Sequence, residues 1–347
     1  MFFRARSQEP PAMTLEGVLG PNSRLDDADS LQADAPHALC VAGTGELLFS
    51  SGRTVQVLKR WSARPKQWAV FDAEVTALAA DPSGMVAIGL AGGGLAVRDS
   101  AGRPVDGWDA VTGLHSVTDC AFASGDEIVV VDNGYGMQDD FMSVAPWDDK
   151  ARGKVVSISR SGGSKVLASA LHCPMGIAHD PSGAWIVSLF ERALIVDLAG
   201  KVRQSGYPAY PGRIRRTDKG YVLACLARRD PLIEFLKTER AFVAEMKASM
   251  APRHWISPRA KPEFSHDFPI EAGATRLFGE VKPWAPSFSY GLVIELDEKL
   301  MPVASAHSRA NGQRHEITDA LEWNGELVAV SRASGEIIKL GPGSRTG

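Results

Sequence analysis

The stretch ALAADPSGMVAI at residues 77–88 returns with little change as GIAHDPSGAWIV at residues 176–187. Both copies contain an apolar segment, an Asp-Pro-Ser-Gly turn and a second apolar segment, which is the pattern of a β-hairpin. Weaker copies turn at Gly45, Gly125, Gly220 and Gly325. Six related hairpins therefore follow one another along the chain, and such a series indicates a repeat architecture.

The spacing of the hairpins indicates the kind of repeat. Three intervals between turn glycines, 45 to 84, 84 to 125 and 183 to 220, are 39, 41 and 37 residues long. One four-stranded propeller blade takes about 40 to 50 residues. The longer intervals, of 58 and 105 residues, mark insertions near residues 137–150 and 227–285. We expect an all-β, six-bladed β-propeller as a single domain over residues 12–341, with flexible termini at 1–11 and 342–347.

The ends of the chain must complete the ring. A third strand follows most hairpins, and the last of these, at residues 336–340, leaves the final blade one strand short. We expect residues 13–19 to supply the missing outer strand, because a ring closed between the termini leaves no blade incomplete.

The larger insertion has a helical rather than an alternating pattern. Asp230-Pro231 is typical of a helix start, and apolar residues recur at helical spacing from Leu232 to Met250. We expect a helical cap inserted in blade five, with its apolar stripe over one mouth of the propeller. Packing on the outside of a blade is the alternative.

Composition excludes several classes of protein. The 347 residues carry 38 Lys and Arg against 41 Asp and Glu, a net charge of −3, which disfavours a nucleic-acid partner. No apolar run reaches the roughly 18 residues of a membrane span, and the first residues lack a long apolar signal core, so we expect a cytoplasmic protein with no membrane contact. The four cysteines are widely separated, which favours small buried side chains over disulfides or a zinc site.

Several stretches resemble one known family. They are PMGIA at 174–178, YPGRIRR at 210–216, YGLVIEL at 290–296 and ITDALEWNG at 317–325. The sequence is similar here to the strictosidine synthase-like six-bladed propellers, which are related to gluconolactonases and paraoxonases. LDDA at 25–28, KPWAP at 282–286 and HSR at 307–309 resemble a bacterial subgroup.

The resemblance implies a site in the central channel, but the residues at its positions have changed. Metal-dependent relatives hold a divalent cation with oxygen ligands, and the matching positions here are His37, Met175, Gly212 and Arg213. An imidazole, a thioether, a glycine and a guanidinium do not form an oxygen-ligand set. We therefore expect no metal and no cofactor.

The acid–base glutamate of the plant synthases also has no direct counterpart. Its position matches Thr318, which cannot shuttle a proton near neutral pH. The amine–aldehyde condensation of a true strictosidine synthase is therefore not expected. Glu316 or Asp319 could replace the glutamate if the alignment shifts.

Histidines are the next candidates for chemistry. His37 begins the first inner strand and His315 lies before the last, so both are candidates for proton transfer, with a hydrogen-bonded or surface histidine as the alternative. His172 stands beside Cys173 at the start of the fourth inner strand, where structural burial of the cysteine is favoured. Tyr207, beside Tyr210, is a candidate aromatic wall for a ligand.

Arg213 has two possible roles at the start of an inner strand. It could pair internally with Asp119 or Asp319 on other inner strands and replace the missing metal, which is the favoured interpretation. It could instead bind an anionic group of a ligand.

Two function classes remain open. One is a metal-independent hydrolase or lyase acting on a small organic molecule, with His37, His315 and Glu316 as catalytic candidates. The residues expected to contact the substrate would then be Arg213, Thr318, Asp319, Asp119, Met175, Tyr207 and His172. The other is a non-catalytic small-molecule-binding propeller. The sequence leans towards the enzyme and leaves substrate and oligomeric state open.

Overall fold

The computed structural model describes residues 13–108, 113–252, 255–261 and 289–343. Within these residues, six small antiparallel sheets follow one another in a ring, which confirms the six-bladed β-propeller. The expected helical insertion is described in part, because residues 262–288 lie outside the described ranges, as does the KPWAP motif at 282–286. Residues 1–12 and 344–347, which include most of the expected flexible termini, also lie outside the described ranges.

The strands of the first three blades run from the channel outwards in chain order. Within the described residues, blade two has three strands and the other two have four. Blade one consists of Leu39–Val41, Leu47–Ser51, Thr54–Leu58 and Lys66–Val70. Blade two consists of Val75–Ala80, Val86–Leu90 and Gly94–Arg98. Blade three consists of Asp119–Ser124, Glu127–Asp132, Gly153–Ser159 and Ser164–Leu171.

The last three blades each have four strands. Blade four consists of Pro174–His179, Trp185–Leu189, Leu194–Asp197 and Val202–Ser205. Blade five consists of Ala209–Thr217, Gly220–Arg228, Gly291–Leu296 and Pro302–Ser308. Blade six consists of Ile317–Trp323, Glu326–Ser331, Glu336–Gly341 and, from the start of the chain, Asp29–Gln32.

Side-chain hydrogen bonds stabilise the repeated Asp-Pro-Ser-Gly turn. The Asp81 carboxylate accepts hydrogen bonds from the Ser83 hydroxyl and from the backbone N–H of Met85. Asp180 does the same with Ser182 and Ala184. The glycine of each copy has a positive φ, 96° at Gly84 and 83° at Gly183, a conformation that other residues rarely adopt.

The ring is closed by a different segment from the one predicted. Asp29–Gln32 pairs antiparallel with Glu336–Gly341, whereas residues 13–19 form no strand. A 3₁₀ turn at Gly17–Leu19 breaks the extended conformation there. The N–H of Met13 donates to Gly206 O at 2.6 Å, and Leu19 packs on the apolar cluster of blades four and five. The prediction was wrong because apolar character at 13–19 serves packing rather than strand pairing.

Two of the subgroup motifs meet at this closure. The N–H of Leu25 donates to His307 O at 3.1 Å, and the Ser308 hydroxyl donates to Asp26 at 2.7 Å. Arg314 donates from Nη1 to Leu25 O and Ala28 O, each at 2.6 Å, and forms an ion pair with Glu336 at 3.1 Å. These residues form a latch that fixes the N-terminal segment across blades five and six.

The insertions of blades three and five pack on each other. Helix α1 spans Phe141–Val144, and helices α2 and α3 span Pro231–Thr238 and Arg240–Ser249, so the predicted start at Pro231 is confirmed. The Trp147 indole N–H donates to Ile256 O at 2.8 Å, within an apolar cluster that includes residues of both insertions.

Two charged residues of the insertions influence the start of blade six. Asp140, in the blade-three insertion, and Lys261, in the blade-five insertion, both act on the pKa of Glu316. The cover of one mouth by the apolar stripe of the helices stays a prediction.

In the described residues, no helix is both long and apolar enough to cross a membrane. The four cysteines are free and buried, as predicted. Burial raises the pKa of Cys40 to about 12 and also raises that of Cys173, so neither thiol ionises readily.

We predict that Arg314→Met opens the latch. It leaves several carbonyls and Glu336 without their partner, so the free energy of unfolding should fall by about 3 kcal/mol in urea titrations. Arg103→Met is the control, because that side chain is 77% exposed and pairs with Asp99 on the surface; its effect should stay below about 0.5 kcal/mol. Equal effects of the two substitutions would contradict the latch.

Candidate functional site

The guanidinium of Arg213 lies at the centre of the channel and binds four blades. Nη1 donates to His37 O at 2.6 Å and to Thr318 O at 2.9 Å. Nη2 donates to Thr118 O at 2.6 Å and to Thr76 O. Each carbonyl belongs to a residue at or near the start of an inner strand, in blades one, six, three and two. Because Arg213 itself belongs to blade five, one side chain joins five of the six blades.

Two aspartates on opposite blades balance this charge. Arg213 Nε lies 3.5 Å from Asp119 and 3.8 Å from Asp319. Arg215, two residues further along the same strand, binds both oxygens of Asp119 at 2.7 and 2.8 Å and Asp319 at 3.0 Å. The favoured internal pairing of Arg213 is therefore observed. We call these four side chains the plug.

The formal charges of the plug cancel, and its side chains are mostly buried. Both aspartates are fully buried, and the side chain of Arg213 is 3% exposed. Burial lowers the pKa of Arg213 and raises that of Asp319, and the opposite charges counteract both effects. For Arg215 the attraction of the two carboxylates outweighs burial, so its pKa rises. The opposite charges within the plug therefore offset part of the cost that burial places on the ionised groups.

The aspartates also join neighbouring blades. Asp119 accepts a hydrogen bond from the N–H of Ile177 in blade four at 2.9 Å. Asp319 accepts one from Leu39 in blade one at 3.0 Å. Gly176 of blade four permits the close approach of Arg213 in blade five, because a Cβ at this position would lie 2.6 Å from the Cα of Arg213. The plug thus positions the inner strands as well as filling the channel.

The divalent cation implied by the family resemblance does not fit these residues. The carbonyl oxygens that converge at the channel centre already accept hydrogen bonds from Arg213, whose fixed positive charge would repel a cation. Met175 contributes a thioether that lies beside Cys173 and Asn133 instead. Among the described residues, no group of three or more His, Cys, Asp or Glu side chains is placed to hold a metal ion.

A second group of polar residues lies beside the plug, at the start of blades six and one. We call His37, Glu316, Thr318 and Arg332 the entrance cluster. The carbonyls of His37 and Thr318 bind the same nitrogen of Arg213, so the two residues are neighbours. Glu316 is buried and pairs with Arg332 at 3.1 Å.

Two atoms of the entrance cluster are buried without a hydrogen-bond partner among the described residues: His37 Nδ1 and Thr318 Oγ1. The threonines at the matching positions of blades two and three differ. Thr76 donates to Val117 O at 2.7 Å and Thr118 donates to Pro174 O at 3.1 Å, each in the next blade. Because buried polar groups are normally paired, the hydroxyl of Thr318 is a candidate for contact with a ligand.

The electrostatics of the entrance cluster favour neutral forms. Burial, reinforced by Arg332 and Arg213, lowers the pKa of His37 well below its usual 6.5. Burial raises the pKa of Glu316, although Arg332 opposes the shift. At neutral pH His37 is therefore an unprotonated imidazole.

Three other predicted residues do not join this cluster. His315 is fully buried, and its ring nitrogens contact Ser289 Oγ at 2.9 Å and Arg309 O at 2.8 Å. Tyr207 is fully buried in the core and donates to Leu300 O at 2.9 Å. His172 pairs with the buried Glu191 at 2.7 Å, and no described contact links it to His37.

Sequence reasoning missed Arg215 and Arg332. A signal for Arg215 exists, because Arg213-Ile214-Arg215 has the period of two that places both arginines on one face of a strand. Arg332 follows the second strand of blade six and carries no comparable signal.

Comparisons with known proteins bear on the fold. No family model matches the sequence, and no curated protein matches it. Among solved structures, the PQQ-bound aldose sugar dehydrogenase of Streptomyces coelicolor has a TM-score of 0.53 at 13% identity and covers 90% of this chain and 95% of its own. A putative gluconolactonase has a TM-score of 0.51 at 12% identity, over 92% and 94%. The chain thus shares the propeller fold of these two proteins.

We predict that Arg213→Met and Arg213→Lys both lower stability without any ligand. Removing one member of a buried ionic network costs about 3 to 5 kcal/mol, and lysine cannot reach four carbonyls and two carboxylates together. The loss should shrink on acidification, because an uncompensated carboxylate has a raised pKa and its penalty grows as pH rises.

Urea unfolding at pH 7 and pH 5 measures both effects. Arg216→Met is the matched control on the same strand, since its side chain is 40% exposed, and it should change stability by less than about 0.5 kcal/mol. A wild-type stability for Arg213→Met would show that the plug does not hold the blades.

We also predict that chelators leave the protein unchanged. Since a guanidinium occupies the channel centre, EDTA should not lower the melting temperature and added calcium should not raise it, because only a ligand of the native state stabilises by mass action. A fall of several degrees with EDTA, restored by calcium, would contradict this.

Proposed function

We propose that this protein is a metal-independent enzyme, a hydrolase or lyase, that acts on a small organic molecule at the entrance cluster. One observation carries the proposal: among the described residues, His37 Nδ1 and Thr318 Oγ1 are buried without a hydrogen-bond partner, and the carbonyls of these two residues meet at the same nitrogen of Arg213. A substrate between the plug and the cap would satisfy both atoms.

The chemistry assigned to each residue follows from its environment. His37 is neutral at physiological pH and can accept a proton from the substrate or from water. Thr318 donates a hydrogen bond that orients the substrate. His37, once protonated, can return the proton to the leaving group, and the ion pair between Glu316 and Arg332 holds these two side chains in place. No step requires a metal.

An anionic group of the substrate would meet Arg332 rather than Arg213. The guanidinium nitrogens of Arg213 are taken up by four carbonyls and two carboxylates. Among the described residues Arg332 makes one ion pair, with Glu316, and its side chain is 38% exposed. The anionic ligand expected for Arg213 is therefore reassigned to this residue.

Fold relatives suggest which substrates to test first. The two similar structures are described as an aldose sugar dehydrogenase and a putative gluconolactonase. We extend this, as a proposal, to membership of the gluconolactonase-like superfamily with its strictosidine synthase-like branch. Sugar lactones, other lactones and small esters are the corresponding hydrolase substrates.

Non-catalytic binding is the second candidate. It is favoured by the ion pair of Glu316 with Arg332, which leaves His37 as the entrance-cluster base without a partner. A binding protein would use His37 Nδ1 and Thr318 Oγ1, which lack a partner among the described residues, but it would not need the shifted pKa values of His37 and Glu316.

The test combines a binding screen with turnover. Compounds that raise the melting temperature are taken from a metabolite library enriched in lactones and esters, and each is assayed for product. His37→Gln and Thr318→Val are compared with His115→Gln, an exposed histidine with a 62% exposed side chain.

For an enzyme, we predict that His37→Gln lowers kcat at least 100-fold and removes the acidic limb of the pH profile, while His115→Gln has no effect. Binding that weakens in both entrance variants without turnover of any ligand would establish the binder instead. If His37→Gln and Thr318→Val both leave the affinity for every ligand unchanged, the assignment of this site is overturned.

A further inference from the structure

A cavity opens at the other mouth of the channel, where the inner strands end. Its volume is about 390 Å³, and residues from all six inner strands line it. Its lining follows the plug along each strand: Val41, Ala79 and Ala121 come from blades one to three, and Arg215 comes from blade five. The cavity is thus separate from the entrance cluster, which lies before the plug.

The plug forms the partition between the two mouths. Asp119 and Asp319 have no exposed side-chain surface and Arg213 has 3%, whereas Arg215 is 16% exposed and lines the cavity. Arg215 therefore forms part of the floor of the cavity. Its Nη atoms make three hydrogen bonds to the carboxylates of Asp119 and Asp319, and N–H donors of the same guanidinium remain beyond those three.

The walls of the cavity are apolar and partly open to solvent. Val41 is 36% exposed, and Ala79, Ala121 and the rings of Phe122 and Trp185 are partly buried. The small alanines leave the cavity wide, and its volume falls in the range of about 300 to 1,000 Å³ that holds small ligands. Charges of both signs, Arg216 and Glu322, stand among the lining residues.

From this arrangement we infer a second ligand site, for a small apolar molecule with one anionic or hydrogen-bond-accepting group directed towards Arg215. Apolar walls supply most of the binding free energy by removing their surface from water. The guanidinium orients the polar group, because it offers donors and no acceptor. The site does not depend on the chemistry proposed for the entrance cluster.

The test uses 1-anilinonaphthalene-8-sulfonate, an aromatic molecule with one anionic group. We expect it to bind the folded protein with one site per chain and a blue-shifted emission. Ala121→Phe and Ala79→Phe each place a ring in the cavity from a different blade, and each should weaken dye binding at least tenfold. Circular dichroism and melting curves identify a variant that fails to fold, and the other then gives the result.

His37→Gln separates this site from the proposed function. That variant alters the opposite mouth and should bind the dye as the wild type does, whatever its effect on turnover. Equal dye binding by the folded Ala121→Phe and Ala79→Phe variants would overturn the second site. So would several dye molecules per chain, no dye binding at all, or a loss confined to His37→Gln.

Discussion

The contacts of Arg213 are the constraint on which the rest of the channel depends. A guanidinium buried on the propeller axis needs compensation from every side, and blades one, two, three and six supply it through backbone carbonyls. Asp119 and Asp319 supply the countercharge and also bind blades four and one. One network thus sets the positions of inner strands that are far apart in sequence. A divalent cation could perform the same task in a channel of oxygen ligands, but here the positive charge is covalently attached.

The pairing of Arg213 within the plug determines which polar atoms of the channel remain available to a ligand. Both Nη nitrogens of Arg213 already bind backbone carbonyls, so a ligand gains little by approaching them. Beside it, the hydroxyl of Thr318 lacks the contact to the next blade that Thr76 and Thr118 make. The imidazole of His37 is shifted towards its neutral form by burial and by the neighbouring arginines. The site that we propose therefore lies where blades six and one meet, next to the plug, and such support from a packed network is what preorganised sites require.

The fold could be predicted because its signals are local and repeated. The Asp-Pro-Ser-Gly turns, the alternation around them and the start of α2 at Pro231 each depend on a few neighbouring residues. The closing strand Asp29–Gln32 was missed because its two ends are exposed and its centre is half-buried, so it has no apolar pattern. In the channel, Asp119 and Asp319 were identified as partners of Arg213 because all three begin inner strands. The carbonyls of Thr76, Thr118 and His37 were not, since a backbone oxygen leaves no trace in sequence. The charged neighbours of His315 suggested exposure, whereas the structure buries its ring.

The position of the closing strand also governs how the chain can fold. The pairing of Asp29 with Lys339 joins residues at opposite ends of the sequence, and the latch contacts of Arg314 have separations almost as long. Because closing so long a loop has an entropic cost, we expect blade six to be completed after the other blades. During synthesis Asp29–Gln32 emerges long before its partner strand, Glu336–Gly341. Until then blade six has an open edge, and an unpaired strand edge is where chains associate wrongly. The strand that later covers this edge is itself polar, since Asp29-Ser30-Leu31-Gln32 contains a single apolar residue and therefore offers little surface for wrong association while it is unpaired.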